Sequence, residues 1–302
     1  MLFSYDCSTT RTCDAATTYH GQVSAASFGT RPIDSSPITG GGGSPFPQHP
    51  TPGQPVPGPN PGDPPYPNGA EPTMAKDHLT PLRPGLGEVS DTIPLTDDPP
   101  GYAPATTAQR DQNWFNYLNG INTDGTHRTL GELPKALPRP EAVNDPALRT
   151  IGAAARQQGV SYAWGGNQSV NGPTRGTLED DPPPGDAHRH RDDRRTGFDC
   201  GGLARFAVYQ GYGTDIKADT GTQFTNLGGA ASAITDPRPG DLAYWGPNGA
   251  NHVAINLGNG VLIEALRSGD PVEVMTLAAT NAAEGQAPVW MRPHYSHPPA
   301  ST

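Results

Sequence analysis

The chain has 302 residues, a formal net charge of −10 and only 33% apolar residues. Glycine (38) and proline (36) together make up about a quarter of it, so we expect roughly half of the chain to bury a core. The acidic balance argues against a nucleic-acid partner, because no basic stripe is available for phosphates. No stretch approaches the ~18 consecutive apolar residues of a membrane-spanning helix.

The first part of the chain, residues 1–104, is predicted to be mostly disordered. It contains four glycines at 40–43 and a proline-rich run at 55–59, and both residue types disfavour regular structure. We expect an extended linker that could dock a protein partner. Residues 1–6 lack the basic and apolar regions of a standard signal peptide, so any export route is not visible.

The three cysteines are Cys7, Cys13 and Cys200. Cys7 and Cys13 could form a small disulfide loop in an oxidising compartment, or remain two thiols in a weakly structured segment. Either pattern leaves Cys200 single.

A helical and linker segment, residues 105–143, is predicted to follow. Its helix covers 105–118, where Trp114, Tyr117 and Leu118 share one face. We assign residues 144–294 to a folded domain and residues 295–302 to a tail.

The domain is predicted to begin with two helices. The first runs over 147–156, with Asn144 or Asp145 as its cap and Gly159 at its left-handed end. The second runs over 200–210. A polar, charged loop, 167–197, lies between them.

From residue 239 onward the apolar pattern has the period of two that is typical of strands. Predicted strands cover 241–245, 252–257, 261–266, 272–277 and 288–291. Helices followed by an antiparallel meander indicate the α+β class.

Cys200 is a candidate nucleophile because it lies in the first turn of a predicted helix. Unpaired N–H groups and the helix dipole favour a thiolate there, and Gly201 and Gly202 leave room for a substrate backbone. The alternative is a small buried side chain, which is the commoner fate of a lone cysteine.

His252 is the candidate base, and Glu264 is the candidate that orients it. Val253 and the alternate residues after it face the core, so His252 points to the other face of the sheet. A three-residue loop, 258–260, pairs Ala254 with Glu264 and makes Glu264 the diagonal neighbour of His252, ~7–8 Å away. The alternatives are a surface histidine and a solvated glutamate.

These segments resemble the NlpC/P60 family of cell-wall peptidases over roughly residues 145–292. The family's Tyr-x-aromatic-Gly-Gly motif is similar to residues 162–166, and its Phe-Asp-Cys-Ser-Gly block is similar to 198–202. Its Pro-Gly-Asp-Leu entry is similar to 239–242, and its histidine strand, Gly-Asn-Gly turn and Ile-Glu-Ala strand are similar to 252–265.

The resemblance implies a papain-like fold and hydrolysis of the bond between D-glutamate and a diamino acid in peptidoglycan stem peptides. Cys200 would attack, His252 would transfer protons and Glu264 would orient it. The residues expected to contact substrate are Tyr162, Trp164, Asp199 and Gly201. Core packing is the alternative for Tyr162, and a helix cap is the alternative for Asp199. No metal or other cofactor is implied.

The sequence departs from the family pattern in two places. Gly201 replaces the usual serine, which leaves the substrate preference open. The loop 167–196 is longer and more charged than expected and contains His188 and His190. It could be a lid, a wall-binding patch, a metal site or a solvated surface loop, although a lone His-x-His is a weak metal signal.

The leading interpretation is therefore a secreted or cell-wall-associated cysteine endopeptidase. A related thiol amidase or acyltransferase acting on protein or lipid would share the Cys–His pair. A non-catalytic wall-binding module is the third hypothesis, and an intact triad argues against it.

Overall fold

The computed structural model describes residues 53–75, 92–179 and 181–294. Cys7, Cys13 and the tail 295–302 lie outside these ranges, so the two interpretations of the cysteine pair are not tested. Within the described ranges, no helix is long and apolar enough to cross a membrane.

The described residues form a mixed helix and sheet fold, as predicted. The helices are α1 (Thr107–Leu118), α2 (Pro146–Ala155), α3 (Asp186–His190), α4 (Cys200–Tyr212), α5 (Thr220–Asn226) and α6 (Leu277–Glu284). The strands are β1 (Leu95–Thr96), β2 (Leu137–Pro138), β3 (Thr174–Arg175), β4 (Thr196–Gly197), β5 (Leu242–Trp245), β6 (His252–Gly258), β7 (Val261–Ala265), β8 (Val272–Thr276) and β9 (Val289–Met291).

The main sheet has the order β8-β7-β6-β5-β9, and all of its pairs are antiparallel. The predicted meander is present from β5 to β8. The chain then forms α6, which was not predicted, and β9 returns to pair with β5 at the opposite edge.

The two predicted helices are present, and their ends lie within two residues of the predicted ones. The Asp145 side chain caps α2 by accepting from the Ala147 N–H at 2.8 Å, and Gly159 has a φ of +86°. Helix α4 ends at Gly213, whose φ of +67° is left-handed. Sequence reasoning did not predict α3 or α5.

Helices α2 and α4 pack on each other and on one face of the sheet. Leu148, Ile151, Leu203 and Phe206 of these helices are buried together with Val253, Ile255 and Ile263 of the sheet. The other face is lined by a smaller apolar cluster of Ala243, Trp245, Ala254 and Leu262, against which Leu277 of α6 packs.

The hairpin between β6 and β7 has the predicted register. Ile255 pairs with Ile263 and Asn256 with Leu262. The turn itself differs, because Gly258 pairs with Val261 and the register shifts between Asn256 and Gly258. This irregularity absorbs one residue at Leu257, so His252 and Glu264 keep the expected relation.

The folded unit extends beyond the predicted boundary at residue 144. Trp114 and Leu118 of α1 and Leu137 of β2 are fully buried in the same core as α2 and α4. The helical and linker segment, 105–143, is therefore part of this unit, because its apolar side chains share this core.

Two segments of the region predicted as an extended linker, 53–75 and 92–104, have defined positions on the domain. Val56 and Tyr66 are buried in the core, and β1 pairs with β2 in parallel. Thr73 accepts from the Ser161 N–H at 2.8 Å and donates its own N–H to Thr196 at 2.8 Å.

Three consecutive side chains after α2 hold these two segments. Arg156 donates to the Val56 carbonyl at 2.6 Å, and Gln157 donates to the Pro57 carbonyl at 2.9 Å. Gln158 both donates to and accepts from the Ile93 backbone, each at 3.0 Å. Buried backbone groups need such partners, which explains why proline-rich chain can be ordered here without regular structure.

We expect Gln157→Ala to lower the free energy of unfolding by about 2–4 kcal/mol. Gln157 is fully buried, and its loss leaves the Pro57 carbonyl and the Tyr66 hydroxyl, which donates to Gln157, without partners. Urea unfolding checks this, with the exposed Gln112→Ala as the matched control. Equal stability of the two variants would contradict the anchoring role of Gln157.

Candidate active site

Cys200 begins α4 and is half-buried at the side of a cleft of about 910 Å³. Asp199 precedes it as the helix cap and accepts from the Gly202 N–H at 2.6 Å. The helix cap expected as an alternative role for Asp199 is therefore present. Cys200 lies in the first turn of α4, where the helix dipole favours negative charge.

His252, the first residue of β6, is hydrogen-bonded to both Cys200 and Glu264. Its Nε2 lies 2.9 Å from Glu264 Oε2, so its other ring nitrogen, Nδ1, is left to face the thiol. The indole of Trp245 covers the imidazole at 5.3 Å between ring centroids. The structure therefore brings the three predicted catalytic residues together in one hydrogen-bonded series.

The pKa of His252 is raised to about 10. Burial on its own lowers this pKa, but the hydrogen bonds to Cys200 and Glu264 and their negative charges outweigh burial. The imidazole is consequently protonated at neutral pH. A protonated imidazole that faces the sulfur is placed to give up a proton in a reaction at the thiol.

The Glu264 carboxylate is completely buried, and both of its oxygens have partners. Oε2 bonds to His252, and Oε1 accepts from the Thr280 hydroxyl at 2.9 Å. Thr280 belongs to α6, so sequence reasoning missed this contact together with the helix. A threonine in an apolar helical run is the signal that could have indicated it.

Tyr162 and Trp164 both line the cleft. Burial and the nearby charges of Cys200 and Asp199 raise the pKa of Tyr162 well above its usual value, so its hydroxyl is a proton donor throughout the ordinary pH range. Trp164 is 38% exposed and presents an aromatic surface to the cleft.

Asp199 is a buried carboxyl with a pKa raised to about 7. Burial is the main cause, and the hydrogen bonds from Gly202 and from the Asn167 side chain oppose it. Asn167 Nδ2 donates to Asp199 at 2.6 Å. Asp199 therefore changes charge near neutral pH at the edge of the cleft.

The space beside Gly201 and Gly202 is occupied by the protein's own backbone, which differs from the sequence interpretation. A Cβ on Gly201 would lie 2.4 Å from the Ala218 carbonyl oxygen, and one on Gly202 would lie 2.1 Å from that of Gly166. These glycines let the cleft walls approach α4. Gly201 still borders the cleft. The close Ala218 carbonyl explains why this position is a glycine.

A buried polar chain that sequence reasoning missed supports the first turn of α4. Tyr244 donates to Gln223 at 3.1 Å, and Gln223 Nε2 donates to the Gly201 carbonyl at 2.8 Å. Burial and the nearby Cys200 raise the pKa of Tyr244 well above its usual value. No spacing in the sequence links these residues, because α5, which contains Gln223, was not predicted.

The charged loop 167–196 borders the cleft over residues 177–189, so it is not simply a solvated surface loop. His188 and His190 lie in or beside its short helix α3. Among the described residues, no group of three or more His, Cys, Asp or Glu side chains is arranged to hold a metal ion.

The fold and the cleft define an α+β domain with a thiol, an imidazole and a carboxylate in series. Residues 159–287 match the model of the NlpC/P60 family. The chain therefore contains a domain of the NlpC/P60 family, as the sequence motifs predicted.

Several curated mycobacterial proteins are similar to this chain. Peptidoglycan endopeptidase RipB of Mycobacterium tuberculosis is 36% identical over 124 residues, which are 41% of this chain and 45% of RipB. Peptidoglycan endopeptidase RipA of the same species is 30% identical over 205 residues, which are 66% of this chain and 40% of RipA. The chain thus spans less than half the length of these relatives.

Solved structures also match the domain. The P60 domain of an antigen from Mycobacterium avium subspecies paratuberculosis is 32% identical, with 49% of this chain and 93% of that chain covered and a TM-score of 0.37. RipD of M. tuberculosis, described as a non-catalytic NlpC/p60 domain protein adapted to peptidoglycan binding, is 27% identical, with coverages of 49% and 97% and a TM-score of 0.39.

We expect Glu264→Gln to lower the pKa of His252 by more than one unit. The substitution removes the negative charge that helps to keep the buried imidazole protonated. Titration of the His252 ring by NMR in histidine-labelled protein measures the change. The exposed Glu132→Gln is the matched control, and an unchanged His252 pKa in Glu264→Gln would show that Glu264 does not govern its charge.

We expect Asp199 to make the domain less stable as pH rises from about 4 to 7. The folded pKa of about 7 exceeds the usual 3.8, so folding binds a proton in this window and stability falls as the proton is lost. Asp199→Asn should lose less stability between pH 4.5 and pH 8 than wild type, by up to a few kcal/mol at ~1.4 kcal/mol per pKa unit.

Chemical unfolding at the two pH values measures this difference. Asp193→Asn, in which a half-buried aspartate of the neighbouring loop 167–196 is replaced, is the control. Identical pH dependence of Asp199→Asn and wild type would rule out Asp199 as the titrating group.

Proposed function

We propose that the domain is a peptidoglycan hydrolase, a cysteine endopeptidase that cleaves stem peptides at the bond between D-glutamate and a diamino acid. The observation that carries this proposal is the hydrogen-bonded series of Cys200, His252 and Glu264 at the side of an open cleft. The names of the curated relatives support the substrate class. A secreted or wall-associated location follows from that substrate.

In the first half of the proposed reaction, the Cys200 sulfur attacks the side-chain carbonyl carbon of D-glutamate. The Cys200 backbone N–H is aligned to donate to the developing oxyanion. The protonated His252 then gives its proton to the departing amine of the diamino acid, which leaves a thioester on Cys200.

In the second half, the neutral His252 takes a proton from a water molecule that attacks the thioester. The D-glutamate product leaves as a carboxylic acid that releases its proton to solvent, and its departure returns the thiolate and imidazolium pair. Glu264 keeps the ring orientation constant through both halves because its carboxylate is held from the other side by Thr280.

The side chains around Cys200 support the proposal that the substrate is a peptide with a charged end. Tyr162, Asp199 and Asn167 lie together on one side of the cleft. An ionised Asp199 can accept from a substrate ammonium group, whereas the protonated form cannot pair with it. We assign Tyr162, Trp164, Asp199 and Gly201 to the substrate-contacting surface on this basis.

We expect wild type to release new fragments from purified stem peptides, split after D-glutamate, and Cys200→Ala to release none. Mass spectrometry of the digests identifies the bond. His252→Ala should be as inactive as Cys200→Ala, whereas the exposed His127→Ala should retain wild-type activity. Absence of cleavage by folded wild type would favour a thiol amidase or acyltransferase, or a non-catalytic wall-binding module.

A further inference from the structure

The insertion between the Tyr162–Gly166 turn and α4, residues 167–196, is closed at its base. Strands β3 and β4 pair there, with Thr174 opposite Gly197 and Arg175 opposite Thr196. Asn68 donates to the Pro173 carbonyl at 3.0 Å, and Thr73 bonds to Thr196. The N-terminal segment 53–75 thus holds both ends of the insertion.

Trp164 provides three separate attachments for the rest of the insertion. Its carbonyl accepts from the Thr177 N–H at 2.7 Å, and its indole N–H donates to the Glu179 carbonyl at 2.8 Å. Its backbone N–H donates to the Asp192 carboxylate at 2.9 Å. The insertion is therefore bonded to a residue that itself lines the cleft.

Asp192 also contacts a second loop that lines the cleft. The same oxygen that accepts from Trp164, Oδ2, accepts from the Ser268 hydroxyl at 2.6 Å. Ser268 lies between β7 and β8 and lines the cleft. One carboxylate oxygen therefore joins three walls of the cleft. They are the insertion, the turn 162–166 that contains Trp164 (the Trp164 turn) and the loop 266–271 that contains Ser268 (the Ser268 loop).

The junction at Asp192 is buried, so its polar groups depend on protein partners. Asp192 is fully buried, and its second oxygen, Oδ1, has no hydrogen-bond partner. Arg195, itself buried, is 3.9 Å away through its Nε. Beside it, His190 packs so closely on Gly269 that a Cβ there would lie 2.4 Å from the ring. A buried carboxylate held this way has few alternative arrangements.

We propose that Asp192 is a positioning residue that fixes the insertion, the Trp164 turn and the Ser268 loop as the substrate-binding walls of the cleft. The proposal rests on the proposed function for its kinetic part only. None of the hydrogen bonds of Asp192 involves Cys200, His252 or Glu264, so its loss should weaken substrate binding and leave the bond-breaking step intact.

The test compares four variants in steady-state cleavage of a soluble stem tripeptide. Asp192→Ala should raise KM about tenfold or more with kcat within about twofold of wild type, since it removes binding surface rather than a reacting group. Asp192→Asn, which retains one acceptor oxygen, should recover much of the affinity. Ser268→Ala should have a smaller effect, and the neighbouring surface variant Asp193→Ala should have none.

Two measurements need no peptide substrate. The alkylation rate of Cys200 by iodoacetamide should be the same in Asp192→Ala and wild type, because the thiol and His252 are untouched. Amide hydrogen exchange in peptides covering residues 160–166 and 177–189 should be faster in Asp192→Ala, because the Trp164 N–H loses its acceptor.

The outcomes separate this inference from the proposed function. If wild type cleaves stems and Asp192→Ala has an unchanged KM, or a reduced kcat with a constant KM, the positioning role is overturned. If wild type does not cleave stems, the proposed function fails, and unchanged exchange in Asp192→Ala would overturn the positioning role separately. Should Asp192→Ala not fold, Ser268→Ala decides: a wild-type KM together with unchanged exchange in this variant would overturn the positioning role.

Discussion

The buried carboxylate of Glu264 is the interaction on which the rest of the site depends. A carboxylate without solvent is costly unless its charge and its lone pairs are both compensated. His252 supplies the compensating charge, and Thr280 occupies the second oxygen. This arrangement requires the register of the β6–β7 hairpin, which sets His252 beside Glu264, and it requires α6 to cover that face of the sheet. The raised pKa of His252 is the electrostatic consequence.

Backbone polar groups impose a second constraint, which explains the size of the folded unit. The run Arg156-Gln157-Gln158 ends α2 with three long polar side chains that are buried. Each of them donates a hydrogen bond to the backbone of one of two N-terminal segments. Carbonyl and N–H groups of these two segments, which do not pair within a sheet, obtain their hydrogen-bond partners in this way. The matched family segment, 159–287, therefore lies within a larger structural unit, because α1, β2 and parts of 53–75 share its core.

Local patterns predicted the parts of the fold that depend on local physics. Three such features were predicted from the sequence, since each depends on only a few neighbouring residues. They are the cap at Asp145, the left-handed Gly159 and the strand periodicity of β6 and β7. The register of the hairpin was also predictable, because burying Glu264 without a partner would be unfavourable. The anchoring of Val56 and Tyr66 was not predictable. These two residues lie in a proline-rich run that resembles linker, and the side chains that hold them are about a hundred residues away along the chain. The same limit applies to Gly201, whose missing side chain is explained by the carbonyl of Ala218.

The candidate catalytic residues and the cleft walls are thus positioned by different kinds of structural element. Cys200, His252 and Glu264 lie on a helix start and two paired strands, which are rigid elements that tolerate little variation. The walls are built from the insertion, the Trp164 turn and the Ser268 loop, which have few regular hydrogen bonds and are joined mainly through Asp192 and Trp164. Under the proposed function, changes in the insertion would alter substrate binding and leave the proposed catalytic residues in place. The buried carboxylate of Asp192 connects these walls with one another, and none of its hydrogen bonds reaches Cys200, His252 or Glu264.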